Sequence, residues 1–389
     1  MLWFTCQCFR NPFAANANLP VTCFGMKANS YPLSPKLISL LAAFLISICV
    51  HAVGLTRQLT CAALIQQDQL AVKTLEDSFD AKTGLWGNQG WWHDANSLTA
   101  LIDFSRATGA KHYLPDIERT FTANIAKRFL INKYYDDEGW WALAWIDAFD
   151  LTGDSRYLTA AGAIFNDMTT GWDDTCGGGL WWTRDRTYKN AIPNELFLSV
   201  AAKLANRSKG TQRKEYIEWA DREWNWLQHS AMVEDDHLFS DGLDSECHDN
   251  HRRKWSYNQG VVLGGLAELS RIPGHSGVLR QAETIADAAL LRFSDENGIL
   301  HESCEPTCSG DGTQFKGIFI RNLAQLSQRS NNPRYAKFIC TNADSLVENA
   351  QLPDHSFGLI WSGPPGNSSS ISQTAAIDAL NAAIFALSR

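Results

Sequence analysis

The chain has 389 residues, a formal net charge of −8, 45% hydrophobic and 20% charged residues. That composition excludes a disordered or fibrous chain and leaves ample material for a buried core; the acidic balance argues against nucleic acid or an anionic membrane as a partner. Tryptophan is the outlier, at 15 residues, and because Trp is hard to bury completely, its positions carry information.

Residues 1–67 contain no Asp or Glu, and Leu37 to Val50 is an apolar run preceded by Lys27 and Lys36. Val50-His51-Ala52 places small residues at −3 and −1 of a cleavage site. This reads as a secretory signal peptide, too short for a membrane span, so residues 1–52 are expected to be an N-terminal extension and leader. Residues 53–389 are expected to be one domain, with no stable membrane span in the mature chain. Six cysteines remain after Ala52: Cys61, Cys176, Cys247, Cys304, Cys308 and Cys340. An even number in a secreted chain suggests disulfides, with 15 possible pairings. Zinc is set aside because Cys304-x-x-x-Cys308 has no second ligand pair. Asn206-Arg-Ser208 and Asn367-Ser-Ser369 are candidate glycosylation acceptors. The expected location is secreted and extracellular, with association with the cell wall left open and no GPI-type anchor expected.

From residue 60 onward helical periodicity dominates. It predicts helices over 60–79, 93–107, 113–131, 137–151, 155–169, 190–206, 211–232, 255–270, 275–294, 314–328, 332–349 and 371–387. Three of the short turns look alike, ending in Tyr113, Tyr157 and Tyr335 after a helix-stopping Gly or Asn. They form a weak internal repeat. The other connections, 80–92, 132–136, 170–189, 233–254, 295–313 and 350–370, are mostly long. Short and long loops therefore alternate, and all the long ones share one end of the molecule. Segment 137–151 is apolar nearly all round, as an inner helix should be, whereas 211–232 carries one apolar stripe. Six inner–outer pairs close naturally into an all-α (α/α)6 barrel.

Ten tryptophans fall in the long loops or the turns that follow them: Trp86, Trp91, Trp92, Trp140, Trp141, Trp172, Trp181, Trp182, Trp255 and Trp361. A purely structural role would scatter them along helices. Their clustering suggests an aromatic groove that stacks on sugar rings; stacking on nucleobases is disfavoured by the negative charge.

Glycosidic bond cleavage needs two carboxyl groups, one protonated and one ionised. Of three adjacent Asp pairs, Asp235-Asp236 reads as a solvated turn and Asp173-Asp174 as turn chemistry before glycines. Asp136-Asp137 stands at the start of the inner helix within Tyr134-Tyr135-Asp136-Asp137-Glu138-Gly139-Trp140-Trp141. One Asp would suffice as a helix cap. Two carboxyls about 5 Å apart repel by about 3 kcal/mol at an effective dielectric near 20, which would lift one pKa by roughly two units and keep one Asp protonated at mildly acidic pH.

These motifs resemble glycoside hydrolase family 76, the endo-α-1,6-mannanases of bacteria and fungi. The resemblance rests on Trp91-Trp92 with Ala95-Asn96, Tyr135-Asp136-Asp137-x-x-Trp140-Trp141, Gly177-Gly178-Gly179-Leu180-Trp181-Trp182, Tyr188-Lys189-Asn190-Ala191, Trp255-x-Tyr257-Asn258-Gln259-Gly260 and Phe315-Lys316-Gly317-Ile318-Phe319. It spans about residues 62–387. It implies an (α/α)6 barrel and retaining cleavage of α-1,6-linked mannan or mannooligosaccharides. Asp136 would be the nucleophile and Asp137 the general acid/base. Asn96, Trp182, Asp241, Tyr257 and Asn258 would contact substrate, joined by the aromatic groove residues Trp92, Tyr135, Trp140, Trp141 and Trp181. No metal or organic cofactor is implied. Three alternatives stay open: a cell-wall mannan transglycosidase, a mannan-binding protein with a decayed site, and another (α/α)6 enzyme. For the last, Arg184, Arg186, Arg252 and Arg253 would suit uronates, and His93 with His301 would suit an epimerase.

Overall fold

A computed structural model describes residues 58–87, 89–125 and 131–388, so the expected leader lies outside the described residues. Twelve α-helices run in order among them: α1 Cys61–Glu76, α2 Trp91–Thr108, α3 Leu114–Asn124, α4 Tyr135–Thr152, α5 Ser155–Met168, α6 Ala191–Arg207, α7 Gly210–Leu227, α8 Ser256–Leu269, α9 Val278–Phe293, α10 Phe315–Arg329, α11 Pro333–Ser345 and α12 Ser370–Leu387. They correspond one for one to the expected segments. The boundaries differ where local chemistry intervenes: a five-residue π-turn, Leu346–Ala350, follows α11, and α4 begins two residues before the periodic pattern does.

The even-numbered helices form the inner ring. Each packs on its neighbours in the closed cycle α2–α4–α6–α8–α10–α12–α2; α1, α5, α7, α9 and α11 lean on the ring from outside, and α3 meets α4 where Phe121 packs on Trp145 at 5.1 Å. The burial follows the sequence pattern. Every residue of α8 is buried, whereas α7 buries one stripe that includes Tyr216, Ala220 and Trp224. The architecture is an (α/α)6 barrel.

Short turns carry the chain from inner to outer helix, and the repeat seen in the sequence has a structural basis. Gly109 and Gly153 end α2 and α4 in the left-handed conformation, at φ of 74° and 76°. Asp154 and Asn332 cap α5 and α11 through their side chains. The tyrosines that follow are buried; Tyr157 stacks on Trp145 of α4 at 5.6 Å and donates its hydroxyl hydrogen to Glu118. The returning connections run to the other end. Because every inner helix starts there, that end collects the six inner-helix N-termini and the long loops. The first long loop contains the only named strands among the described residues, a hairpin pairing Phe79–Asp80 with Leu85–Trp86.

The ring closes tightly. A Cβ on Gly317 of α10 would lie 2.4 Å from the Ala375 Cα of α12, and one on Gly260 of α8 would lie 2.6 Å from the Phe319 Cα of α10. Polar ties reinforce it. Arg321 of α10 pairs with Asp378 of α12 and donates to Asn96 of α2, and Lys203 of α6 pairs with Asp147 of α4 at 2.7 Å. Asn96, expected to touch substrate, is instead fully buried in this network and donates to the Trp92 carbonyl. Asn206, one of the two candidate acceptors, uses its amide nitrogen on Glu268; Asn367 is exposed.

Because backbone blocks the Cβ, Gly317→Ala is expected to destabilise the barrel by about 1–3 kcal/mol through overpacking, read as a lower Tm in a thermal melt. The same change at Gly153, where no atom lies within 4 Å of the added Cβ, should cost about 1 kcal/mol through its positive φ alone.

Candidate active site

Asp136 and Asp137 occupy the first turn of α4. Neither caps the helix: Tyr134 is the N-cap and makes no side-chain capping bond. The helix start is set by the chain beside it, where the Tyr135 amide donates to the Trp182 carbonyl at 3.0 Å. This frees both carboxylates from the capping role that would otherwise explain them.

Each carboxylate has its own holder. Asp136 accepts a hydrogen bond from the Trp182 indole at 3.1 Å, and Asp137 accepts one from the Asn132 amide at 2.5 Å. Asn132 is itself held, since its carbonyl accepts from Arg184 Nε at 2.7 Å. Arg184 also binds Glu138 and Asp167 and lies 4.7 Å over the Tyr135 ring. This arginine, which a uronate site could have used, is thus consumed in anchoring the α4 start. Arg186 is similarly tied to Asp173.

Burial raises both catalytic candidates. Asp136 is pushed up to about 8, mainly by loss of water and next by the Asp137 charge, with the Trp182 N–H opposing. Burial raises Asp137 to about 6, against the Asn132 hydrogen bond. Repulsion between the two carboxyls contributes as expected, but desolvation is the larger cause. The pair titrates as a unit and holds one proton between roughly those values.

Asp136 lines a cleft of about 490 Å³ at the long-loop end, walled by Trp92, Trp140, Trp182, Tyr188, Asp241, Arg252, Trp255, Tyr257, Asp311 and Phe315. The Tyr257 and Phe315 rings stack at 3.8 Å and the Trp92 and Trp140 rings at 5.7 Å. Trp182 is 37% exposed, a ring face open to solvent. A second depression of about 710 Å³ adjoins the cleft and shares Trp182, Tyr188 and Arg252 with it.

Of the expected substrate contacts, Trp92, Trp140, Trp182, Asp241 and Tyr257 line the cleft. The others do not. Trp141 is fully buried and stacks on Trp145 at 5.6 Å. Trp181 turns its indole to Asp173 at 2.7 Å and lies under Lys189. Tyr135 is buried with its hydroxyl on Thr170, and Asn258 is fully buried in the core. In the adjacent pairs Trp140-Trp141 and Trp181-Trp182 one ring faces the cleft and the other is turned away from it, which sequence proximity does not reveal. Trp86 and Trp361 are likewise core residues. Asn190, Tyr188 and Asp311 line the cleft without having been expected as contacts, and Arg252, expected only for a uronate substrate, lines it too. Tyr188 hydrogen-bonds Asp241 at 2.5 Å and also receives the Asn250 amide, and its place in the Tyr188-Lys189-Asn190 motif was the available signal.

Disulfides hold the loop wall. Cys176–Cys247 ties the 169–190 loop to the 228–255 loop, and Cys304–Cys308 closes a small ring before Gly310. Cys61 and Cys340 are buried and belong to neither bridge. Asp173, in the first of these loops, pairs with buried Lys189 at 3.0 Å; its hydrogen bonds to Trp181 and Lys189 outweigh burial and hold its carboxyl below the usual range. It staples the loop.

An (α/α)6 barrel with a paired-carboxyl aromatic cleft is the architecture of a glycoside hydrolase. Residues 66–388 match the profile of glycosyl hydrolase family 76, and the chain belongs to that family. It is 31% identical over 312 residues to the mannan endo-1,6-alpha-mannosidase DFG5 of Saccharomyces cerevisiae, a match that covers 70% of this chain and 65% of that one. The chain spans 54–65% of the length of the curated relatives it matches. Among solved structures it is similar to the Lin0763 protein of Listeria innocua, with 27% identity, a TM-score of 0.74 and coverage of 82% and 96% of the two chains. It also shares its fold with an inactive variant of the α-1,6-mannanase GH76A of Salegentibacter sp. HEL1_6 in complex with α-1,6-mannotetraose. There the TM-score is 0.76, the identity 23% and the coverage 83% and 99%.

The shared proton predicts a bell-shaped dependence of kcat/KM on pH. Activity should fall below about 6 as the second carboxyl protonates and above about 8 as the last proton leaves. Asn132 donates to the ionised form of Asp137, so Asn132→Ala should move the acidic limb to higher pH. A limb that stays in place would contradict the assignment.

Proposed function

We propose that the protein is a secreted, retaining endo-α-1,6-mannanase. The observation that carries the reading is the adjacent pair Asp136–Asp137, both raised and sharing one proton, with Asp136 in the lining of a tryptophan-walled cleft. Membership of family 76 and the activity named for DFG5 support the substrate. The apolar segment 37–50 and the two disulfides support secretion, and exposed Asn367 is the better of the two glycosylation acceptors.

A mannan chain lies along the cleft with a sugar ring against Trp182. Asp136 attacks C1; the C1–O bond to the leaving sugar breaks, and the departing oxygen takes the proton from Asp137. In the free site the proton favours Asp136. Positive charge developing at C1 stabilises the ionised Asp136 and places the proton on Asp137 as the bond breaks. Asp137 then takes a proton from water, the oxygen attacks C1, and Asp136 is released. The adjoining depression favours a second reading for the last step. A sugar hydroxyl seated there would replace water, making the enzyme a transglycosidase.

Asp136→Asn and Asp137→Asn are each expected to lower kcat/KM on α-1,6-mannotetraose by at least roughly 10³ with an unchanged circular dichroism spectrum. Asp173→Asn should lower the Tm while leaving kcat within about threefold. Near-normal turnover in either of the first two variants would remove the assignment.

A further inference from the structure

Three carboxylates line the cleft, Asp136, Asp241 and Asp311, and the first two are accounted for. Asp311 comes from the loop between α9 and α10, in the short turn Gly310–Thr313. Its position is built. Gly310 turns the chain at φ of 53°, and Gly312 presses so closely on the Cys304–Cys308 bridge that a Cβ there would lie 2.8 Å from the Cys304 sulfur. Its Oδ1 faces two groups from the first turn of α2, receiving the Trp92 indole N–H at 3.2 Å and lying 3.1 Å from His93 Nε2. Among the described residues no group donates to Oδ2, although the side chain is 68% exposed to the cleft. The His93 hydrogen bond holds the carboxyl below its ordinary range, so it is ionised wherever the enzyme works.

An ionised carboxylate with one oxygen held and the other open is a hydrogen-bond acceptor poised for a hydroxyl. The same contact fixes the orientation of the Trp92 ring, which lines the cleft. Asp311 also lies within the electrostatic reach of Asp137. We propose that Asp311 is a substrate-binding residue, its Oδ2 accepting a hydrogen bond from a hydroxyl of the sugar bound in the cleft beside Asp136. The inference rests on the mannanase reading above and adds a specificity contact to it.

The test compares wild type, Asp311→Asn and a control, Asp235→Asn, on α-1,6-mannotetraose. In Asp311→Asn the amide oxygen still accepts from Trp92 and His93, so the turn and the indole stay in place. The NH2 that replaces Oδ2 cannot accept. KM should rise about tenfold or more with kcat changed much less, as loss of uniform binding requires. A second readout separates this from mere structural damage. Asp137 is faced by Asp136 on its own helix, Asn132 from the preceding loop, His93 from α2 and Asp311. Removing the Asp311 charge should move the acidic limb of the pH profile to lower pH, opposite to Asn132→Ala, and Asp235→Asn should move neither quantity. A folded Asp311→Asn enzyme with wild-type KM and acidic limb overturns the inference while leaving the mannanase reading intact. A wild type that neither binds nor cleaves the tetraose overturns both.

Discussion

The site depends on one constraint: two carboxyl groups, adjacent in sequence, are kept partly out of water at the start of an inner helix. Desolvation penalises their charged forms, and only specific donors offset it. Trp182 and Asn132 each supply one side-chain N–H, and burial still holds both carboxyls above their ordinary range. The retained proton is the chemical asset, because a glycosidic oxygen cannot leave easily without one.

That constraint explains why the surrounding framework is so heavily tied. The α4 start is held by Arg184 through Asn132, Glu138 and Asp167, so the carboxylates cannot relax apart. The wall bearing Trp182 and Tyr188 is held by Cys176–Cys247 and by Asp173–Lys189. Beneath it the inner ring is closed at glycine contacts between α8, α10 and α12. The opposite end of the barrel carries ion pairs such as Arg207–Glu268 and Lys203–Asp147, where cations meet the C-terminal ends of inner helices. The two ends are thus chemically distinct, one lined by aromatic rings and carboxylates, the other by ion pairs.

The fold was largely legible in the sequence because its two signals are local. Apolar periodicity distinguishes inner from outer helices, and loop length alternates with direction. The proposed catalytic pair stands out in the sequence because two carboxylates beside aromatics exceed what a cap needs, and in the structure the capping position falls to Tyr134. What sequence could not resolve is which way a side chain points. Trp140 and Trp141, or Trp181 and Trp182, differ by one residue and so by about 100° around a helix or a reversal along an extended chain, enough to send one ring to the cleft while Trp141 enters the core and Trp181 packs into the loop wall on Asp173 and Lys189. Asn96 was misplaced for a related reason: it lies one turn from Trp92, but Arg321 draws it inward. Asp311 lacked any signal, because its partners Trp92 and His93 lie more than two hundred positions away.

The most direct measurement follows the purified protein on α-1,6-mannotetraose, with product lengths read by mass and the first-formed anomer by NMR. Shorter α-1,6-mannooligosaccharides released first as the α-anomer are the predicted result, and products longer than the tetraose would assign the acceptor role to sugar. An untouched tetraose beside a working control, or β-anomer appearing first, would contradict the account of Asp136 and Asp137 as a retaining pair acting on mannan.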